Sequence, residues 1–270
     1  MLRSAAIVTF RRTLMKLYVI NLDRAPERLE RIGALLGAMG VPFERVPAVD
    51  GKLLPPPPDK VPDDAHMMTR SEIALIESHR KCWTLFEESG ENACIVLEDD
   101  VHFGKGFADF AASDQGFPAC FDLIKIETTP FKVWVDTHAP YPLASGRKLL
   151  RLASPHMGAA GYVLSRQALP KVRALTGAMK YPVDTAIFGH PAKDLTIYQL
   201  SPSLVIQDNA FKNGGPNYAG LAGTVERGRK PKVRGIRKAM REIARPFRGY
   251  IPPGPLRQKW RLSYGRIAFE

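Results

Sequence analysis

A chain of 270 residues, 45% of them hydrophobic, can bury one large core or two small ones, and it holds no apolar run near the roughly 18–20 residues of a membrane-spanning helix. Its net charge of +12 is uneven, because residues 226–270 carry 14 Lys or Arg against 3 Glu and the rest of the chain is almost neutral. The basicity therefore belongs to the C-terminal stretch and says little about what the body binds. Three cysteines, Cys82, Cys94 and Cys120, are odd in number and scattered; Cys82 and Cys94, in a helical and a strand-like run, lack metal-site spacing and fit buried structural thiols in a reducing compartment. Residues 1–13 lack the apolar run and small-residue cleavage site of a signal peptide. They read as an extension ahead of Met15, or as an upstream start.

Lys16–Asn21 predicts a strand, and Pro26 suits the first turn of a helix after it. Leu29, Ile32, Leu35, Leu36 and Met39 recur at helical spacing, and Gly40 suits the helix end. Val41–Val49 predicts a second strand, which completes the β-α-β crossover of a parallel sheet. Pro55–Pro58 imposes an extended loop. Ser71 is placed to cap a helix that runs to about Ser89. Ala93–Glu98, Phe121–Ile126 and Gly161–Leu164 predict further strands, and Gln167–Leu175 a helix with Pro170 in its first turn. Two short strands are expected between Thr196 and Gln207, broken near Pro202. Residues 212–234 are rich in Gly, Asn, Lys and Arg and predict a linker. Beyond it Ile236, Met240, Ile243 and Phe247 share a stripe among Arg237, Lys238, Arg241 and Arg245, the pattern of a membrane-surface helix or of a solvated tail. The domain reading is a folded body over residues 15–211 and a basic linker and amphipathic tail over 212–270.

The stretch with most chemical content is Ala93–Val101, an apolar run that ends in Glu98, Asp99 and Asp100. Such runs are buried strands of α/β sheets, whose ligands bind beyond the strands' carboxyl ends. Three adjacent carboxylates repel one another and call for a cation, unless they form an acidic surface turn. Oxygen ligands suit Mg²⁺ or Mn²⁺ bridging to a phosphate. If the strand continues, Glu98 and Asp100 face one side and Asp99 the other.

Asn21, Asp23 and Arg24 end the first strand, where mononucleotide-binding folds meet their ligand. Asp23 suits a ribose or uracil hydrogen bond, or a helix cap. Arg24 and Arg28 suit phosphate, or an exposed pair. Glu72, Ile76, His79 and Trp83 share one stripe of the helix from Ser71, so the polar Glu72 and His79 need partners there. They are a capping Glu and a satisfied core His, or part of the wall of a site. Asp184 suits a helix N-cap or a general base. No G-x-G-x-x-G follows the first strand, and no P-loop occurs.

Val19-Ile20-Asn21-Leu22-Asp23-Arg24 with Glu27-Arg28, then Pro47-Ala48-Val49-Asp50-Gly51, Glu72-Ile73 with Ser78-His79, Leu97-Glu98-Asp99-Asp100, Ala160–Ser165, Pro182-Val183-Asp184 and Ser201–Gln207 resemble, in this order, glycosyltransferase family 25 of the lipopolysaccharide-biosynthesis galactosyltransferase type. The resemblance spans about residues 16–208. It departs from the family at Ala74–Glu77, where small residues and a Cys are common, and at Pro55–Pro58.

The resemblance implies a GT-A-like single domain with a mixed, mostly parallel central sheet flanked by helices. It implies a UDP-sugar donor, Mn²⁺ or Mg²⁺ held by carboxylates among Glu98, Asp99 and Asp100, and inverting transfer of a hexose, galactose, to a glycan acceptor of lipopolysaccharide or another surface polysaccharide. Asn21, Asp23, Arg24, Arg28, His79 and Asp99 are then donor-binding residues. Asp184 is the first choice for the base that deprotonates the acceptor, and Glu72 the second. The expected location is the bacterial cytoplasm, peripheral on the inner membrane face, with the basic tail on anionic lipid and a lipid-linked acceptor. Without the resemblance two other classes remain open. One is a non-catalytic membrane- or nucleic-acid-binding protein acting through the tail, although no motif for specific nucleic-acid recognition is present. The other is a different metal-dependent nucleotide-phosphate enzyme, such as a nucleotidyltransferase.

Overall fold

Strands that are apolar at every position must be covered on both faces. The computed structural model, which describes residues 14–55, 68–112, 116–211 and 262–270, meets that requirement with a helical layer on each side of a sheet. In chain order the first elements are β1 (Lys16–Asn21), α1 (Pro26–Ala38), β2 (Glu44–Pro47), α2 (Arg70–Ser89), β3 (Ala93–Glu98), β4 (Val101–Phe103), α3 (Phe107–Ala111) and β5 (Leu123–Lys125). There follow β6 (Glu127–Thr128), β7 (Val133–Pro142), β8 (Lys148–Leu152), β9 (Gly161–Ser165), α4 (Leu169–Gly177), α5 (Val183–Phe188), β10 (Ile197–Ser201), β11 (Val205–Gln207) and β12 (Leu262–Gly265).

The alternation of side chains along each strand sorts the core into two halves. Tyr18, Ile20, Cys94, Val96, Tyr162 and Leu164 pack under α2, α4 and α5. Leu17, Val19, Ile95, Leu97 and Val163 pack against α1 and α3. Cys82 and Cys94 are fully buried, as their apolar settings suggested, and Cys120 is exposed.

The large sheet runs β12-β7-β8-β10-β5-β9-β3-β1-β2. β1 pairs parallel with both β2 and β3, as the β-α-β opening predicts. The expectation of a mostly parallel sheet is corrected, because five of its eight strand pairings are antiparallel. β9 slots between β3 and β5 antiparallel to both, and the β7–β8 hairpin extends the sheet by tight reversal rather than by crossover. A second sheet, β4-β11-β6, sits beyond the ends of β3 and β5.

One helix start keeps its expected proline, and the other changes its cap. α1 begins behind Ala25 with Pro26 in its first turn and without a side-chain cap, so Asp23 does not cap it. α2 is capped by Thr69, not Ser71. The Thr69 hydroxyl accepts from the Glu72 N–H at 3.2 Å, and the Glu72 carboxylate accepts from the Thr69 N–H at 2.7 Å. That reciprocal box satisfies two otherwise orphaned donors.

The boundary of the tail is also corrected at its far end. Residues 262–270 return to the body: β12 pairs with β7, Ile267 joins Val133, Val135 and Leu150, and Ser203 N–H donates to Ala268 at 2.7 Å. Arg147 donates to the Glu270 carbonyl at 2.9 Å. The linker 212–234 and the stripe Ile236, Met240, Ile243 and Phe247 lie outside the described residues. Among the described residues no helix is long and apolar enough to cross a membrane.

The return of the C-terminus depends on Gly104. A Cβ there would stand 1.9 Å from the Glu270 carbonyl oxygen, and the obstacle is backbone. Gly104→Ala should cost about 1–3 kcal/mol in chemical denaturation, the usual range for an overpacked site. It should also raise amide exchange at Ser203 and Glu270. Unchanged stability and exchange would mean that the strap packs elsewhere.

Candidate active site

The carboxyl ends of β1 and β3 open into a cleft of about 450 Å³. Its walls come from the start of α1 (Arg24, Arg28), the loop after β2 (Ala48, Val49, Gly51), α2 (Ser71, Ala74, Leu75, Ser78), the end of β3 (Glu98, Asp99, Asp100), the strap Gly158–Ala159, the start of α5 (Val183, Asp184) and the end of β11 (Gln207, Asp208, Asn209). β3 stops at Glu98, yet the alternation carries through the turn. Asp99 points toward α1, where its carboxylate accepts from Arg28 Nη1 at 2.8 Å and Asn21 Nδ2 at 2.7 Å. Glu98 and Asp100 lie on the other side, and each accepts a long 3.4 Å bond from Gln207 Nε2.

The sequence hides why Arg28 is buried. The inward row of α1 is Arg28, Ile32 and Leu36, at i, i+4, i+8, so the guanidinium takes a core position at the helix start. From there Nη1 neutralises Asp99, and Nη2 lies 3.8 Å from Asp100.

Asn21 is buried behind the cleft. Its amide donates to Asp99 and to the Ala25 carbonyl, and its oxygen accepts from Arg45 Nε at 3.0 Å. It braces the site and is not among the lining residues. Asp23 is highly exposed, is paired with Arg45 and is not among the residues that line the cleft. Arg24 stands at the rim, joined to Asp50 at 2.7 Å. Glu72 takes the capping role: its carboxylate is engaged in the helix cap and it is not among the lining residues. His79 is fully buried behind Glu98. Asp184 lines the cleft but is not the N-cap, which is Pro182. Its oxygens accept from Thr185 N–H at 2.6 Å and Gly158 N–H at 3.2 Å.

Three participants escaped the sequence reading. Gln207 ends a three-residue strand, too short for its periodicity to show which way it faces. Lys125 and Glu127 are both wholly buried and pair at 2.9 Å, a combination that composition cannot reveal. Lys125 also donates to the Gly158 carbonyl, and Glu127 accepts from Ala160 N–H at 3.0 Å. Together they hold the strap from which Asp184 receives its bond.

The electrostatics follow from this crowding. Burial first, then repulsion from Glu127, Asp99 and Asp184, pushes the Glu98 carboxyl up to about 8, against the opposing pull of Arg28. Burial and Glu98 push Asp100 up to about 7. Burial drives His79 down to about 3, so its ring is neutral at physiological pH. Among the described residues the cleft thus holds a buried acid pair with Arg28 as its nearby cation, faced by a third, hydrogen-bonded carboxylate.

The profile of glycosyltransferase family 25 (LPS biosynthesis protein) matches residues 15–187. The chain belongs to glycosyltransferase family 25. Lacto-N-neotetraose biosynthesis glycosyltransferase LgtB of Neisseria gonorrhoeae is 30% identical over 233 residues, covering 80% of this chain and 82% of that protein. Lipooligosaccharide biosynthesis protein lic2B of Haemophilus influenzae is 31% identical over 205 residues, covering 71% and 75%. Among solved structures, A197 from STIV aligns at a TM-score of 0.41 with 14% identity over 71% of this chain and 83% of that one. The cleft is lined on most sides by segments within the family match, while Gln207, Asp208 and Asn209 follow it in the chain.

An acid with a raised pKa in the folded state binds more protons there than in the unfolded chain, so stability falls as pH rises between the two values. Metal-free protein should therefore lose stability from pH about 4.5 to about 8, the interval spanned by Glu98. The double variant Glu98→Gln, Asp100→Asn should flatten that decline in a thermal-denaturation series. A decline of equal slope in both proteins would show that the pair is not strained.

Proposed function

We propose that the cleft binds a UDP-sugar and that the enzyme transfers its hexose, galactose, with inversion onto a glycan acceptor of lipopolysaccharide or another surface polysaccharide. The observation that carries this reading is the convergence of Glu98, Asp100, Arg28 and Asp184 on one cleft at the carboxyl ends of β1 and β3. The named relatives, a lacto-N-neotetraose and a lipooligosaccharide biosynthesis protein, support the choice of product. The cleft's position beyond the strand ends supports a GT-A-like use of the fold.

Glu98 and Asp100 fit Mn²⁺ or Mg²⁺. They are oxygen donors only, and their raised pKa values are those a bound cation would lower. Among the described residues no three metal-binding side chains converge, so water and the donor's phosphates would complete the shell, a common arrangement for Mg²⁺. A bound ion would supply charge stabilisation for the departing diphosphate. Asp99 would contribute by anchoring Arg28 rather than as a ligand. Arg28 and Arg24 border the space a diphosphate needs and oppose its charge. The slot between Ala48–Val49 and the small residues Ala74 and Ser78 suits a flat base, and Ser78 Oγ fixes it by accepting from Val49 N–H at 2.9 Å.

Asp184 is the proposed base. Its two backbone donors fix the carboxylate and leave lone pairs to accept the acceptor's hydroxyl proton. Removal of that proton raises the nucleophilicity of the oxygen that attacks the anomeric carbon. The basic stretch is proposed to hold the enzyme on anionic lipid near a lipid-linked acceptor. Its charge lies almost wholly before residue 262, between the body and the strand that returns to it.

Asp184→Asn should leave UDP binding nearly unchanged and lower transfer by ~10²-fold or more; transfer at the normal rate would exclude it as base. Excess EDTA should abolish UDP release and Mn²⁺ restore it, while full activity in EDTA would remove the metal from the mechanism. Replacing Arg237, Lys238, Arg241 and Arg245 together by Gln should abolish salt-sensitive sedimentation with anionic vesicles and preserve turnover of a soluble acceptor. Unaltered sedimentation would place the membrane contact elsewhere.

A further inference from the structure

His79 lies fully buried in α2, between Trp83 and Tyr162 on one side and Glu98 on the other. Its hydrogen-bond partners fix where its single proton sits. The indole of Trp83 can only donate, and it donates to the Tyr162 hydroxyl at 2.9 Å. The hydroxyl's own hydrogen then needs an acceptor, and His79 Nδ1 is 2.9 Å away. If Nδ1 carried the proton instead, the Tyr162 hydrogen would be buried with no acceptor shown among the described residues, an arrangement that costs a desolvation penalty. The neutral ring therefore bears its proton on Nε2. Among the described residues that buried atom has no hydrogen-bond partner, and Glu98 Oε1 lies 3.9 Å from it.

We propose that His79 is a positioning residue for Glu98, its Nε2–H orienting the Oε1 edge of the carboxylate while Gln207 steadies the Oε2 edge. The inference rests on the reading of Glu98 as a ligand of the divalent ion. A shift of about 1 Å brings 3.9 Å to the usual 2.9 Å of an N–H···O bond. Gln207 Nε2 stands 3.4 Å from Oε2, so the two carboxylate oxygens are bracketed by neutral donors from α2 and β11. Neutral donors orient a carboxylate without competing as cations for the ion's place. Ligands oriented by such outer partners hold metal more tightly, typically by 10–100-fold. The stacked Tyr162 ring, 5.7 Å from the imidazole centroid, keeps the ring plane fixed.

The test begins on the metal-free, full-length chain. Its ¹⁵N spectrum should show His79 as the Nε2–H tautomer, the resonance being assigned by its loss in His79→Gln. The Glu98 side-chain ¹³C carboxylate resonance, assigned by its loss in Glu98→Gln, should move in His79→Phe and return toward the native position in His79→Gln, which restores a donor amide. With UDP present, His79→Phe should weaken Mn²⁺ binding about 10–100-fold, and His79→Gln by much less, with circular dichroism unchanged in both. An Nδ1–H tautomer, or a Glu98 resonance indifferent to His79→Phe, would overturn the proposal. The tautomer is read in the unmutated chain, so it decides even if His79→Phe fails to fold. An unmutated protein that binds no Mn²⁺ would instead remove the metal reading, leaving the two resonances to judge His79.

Discussion

The two-residue period of β3 is the constraint on which the site depends. It separates three consecutive carboxylates that would otherwise share one patch of space. Asp99 goes to the α1 side, where Arg28 and Asn21 take up its charge and lone pairs. Glu98 and Asp100 go to the other, where the neutral amide of Gln207 bonds both. One of the three is thereby satisfied by the fold, and two are left with raised pKa values. A strand end slipped by one residue would reverse the assignment and leave Arg28 facing the wrong acid.

The face opposite the acid pair is built with equal economy of parts. The buried Lys125–Glu127 pair would destabilise a core if either member stood alone, but here it closes on the Gly158 carbonyl and the Ala160 N–H. Gly158 has φ +98, and a Cβ there would meet Glu127 Oε1 at 2.7 Å, so only glycine lets the strap pass so close. The same residue's N–H then donates to Asp184. A scaffold bond thus reaches the proposed base within two residues of chain.

Much of this was legible in the sequence, and the failures have physical causes. Apolar runs closing on polar residues marked β1 and β3, and the carboxylate triplet marked the cleft. The segregation of Asp99 from its neighbours follows from strand geometry alone. Glu72 takes the capping role that the sequence offered, but its partner is Thr69, three residues before it, because Ser71 presents a competing cap. The burial of Arg28 was not legible, since nothing in a helical pattern says that the first inward position will hold a cation. β7, with its two prolines and exposed second half, and β12, separated from the body by some fifty residues, gave no local sign that they pair. The antiparallel insertion of β9 between β3 and β5 is a tertiary choice that strand periodicity leaves open.

Membership of glycosyltransferase family 25 and the acid pair meet in the proposal that a divalent ion and a diphosphate complete the pair. A cation that lowers the two raised pKa values must displace protons from them. Calorimetric titration of Mn²⁺ with UDP at pH 6, repeated in buffers of different ionisation enthalpy, counts those protons directly. The account predicts release of at least one proton per ion bound, lost in the Glu98→Gln, Asp100→Asn double variant. Binding with no proton release, or the same release from the double variant, would contradict it.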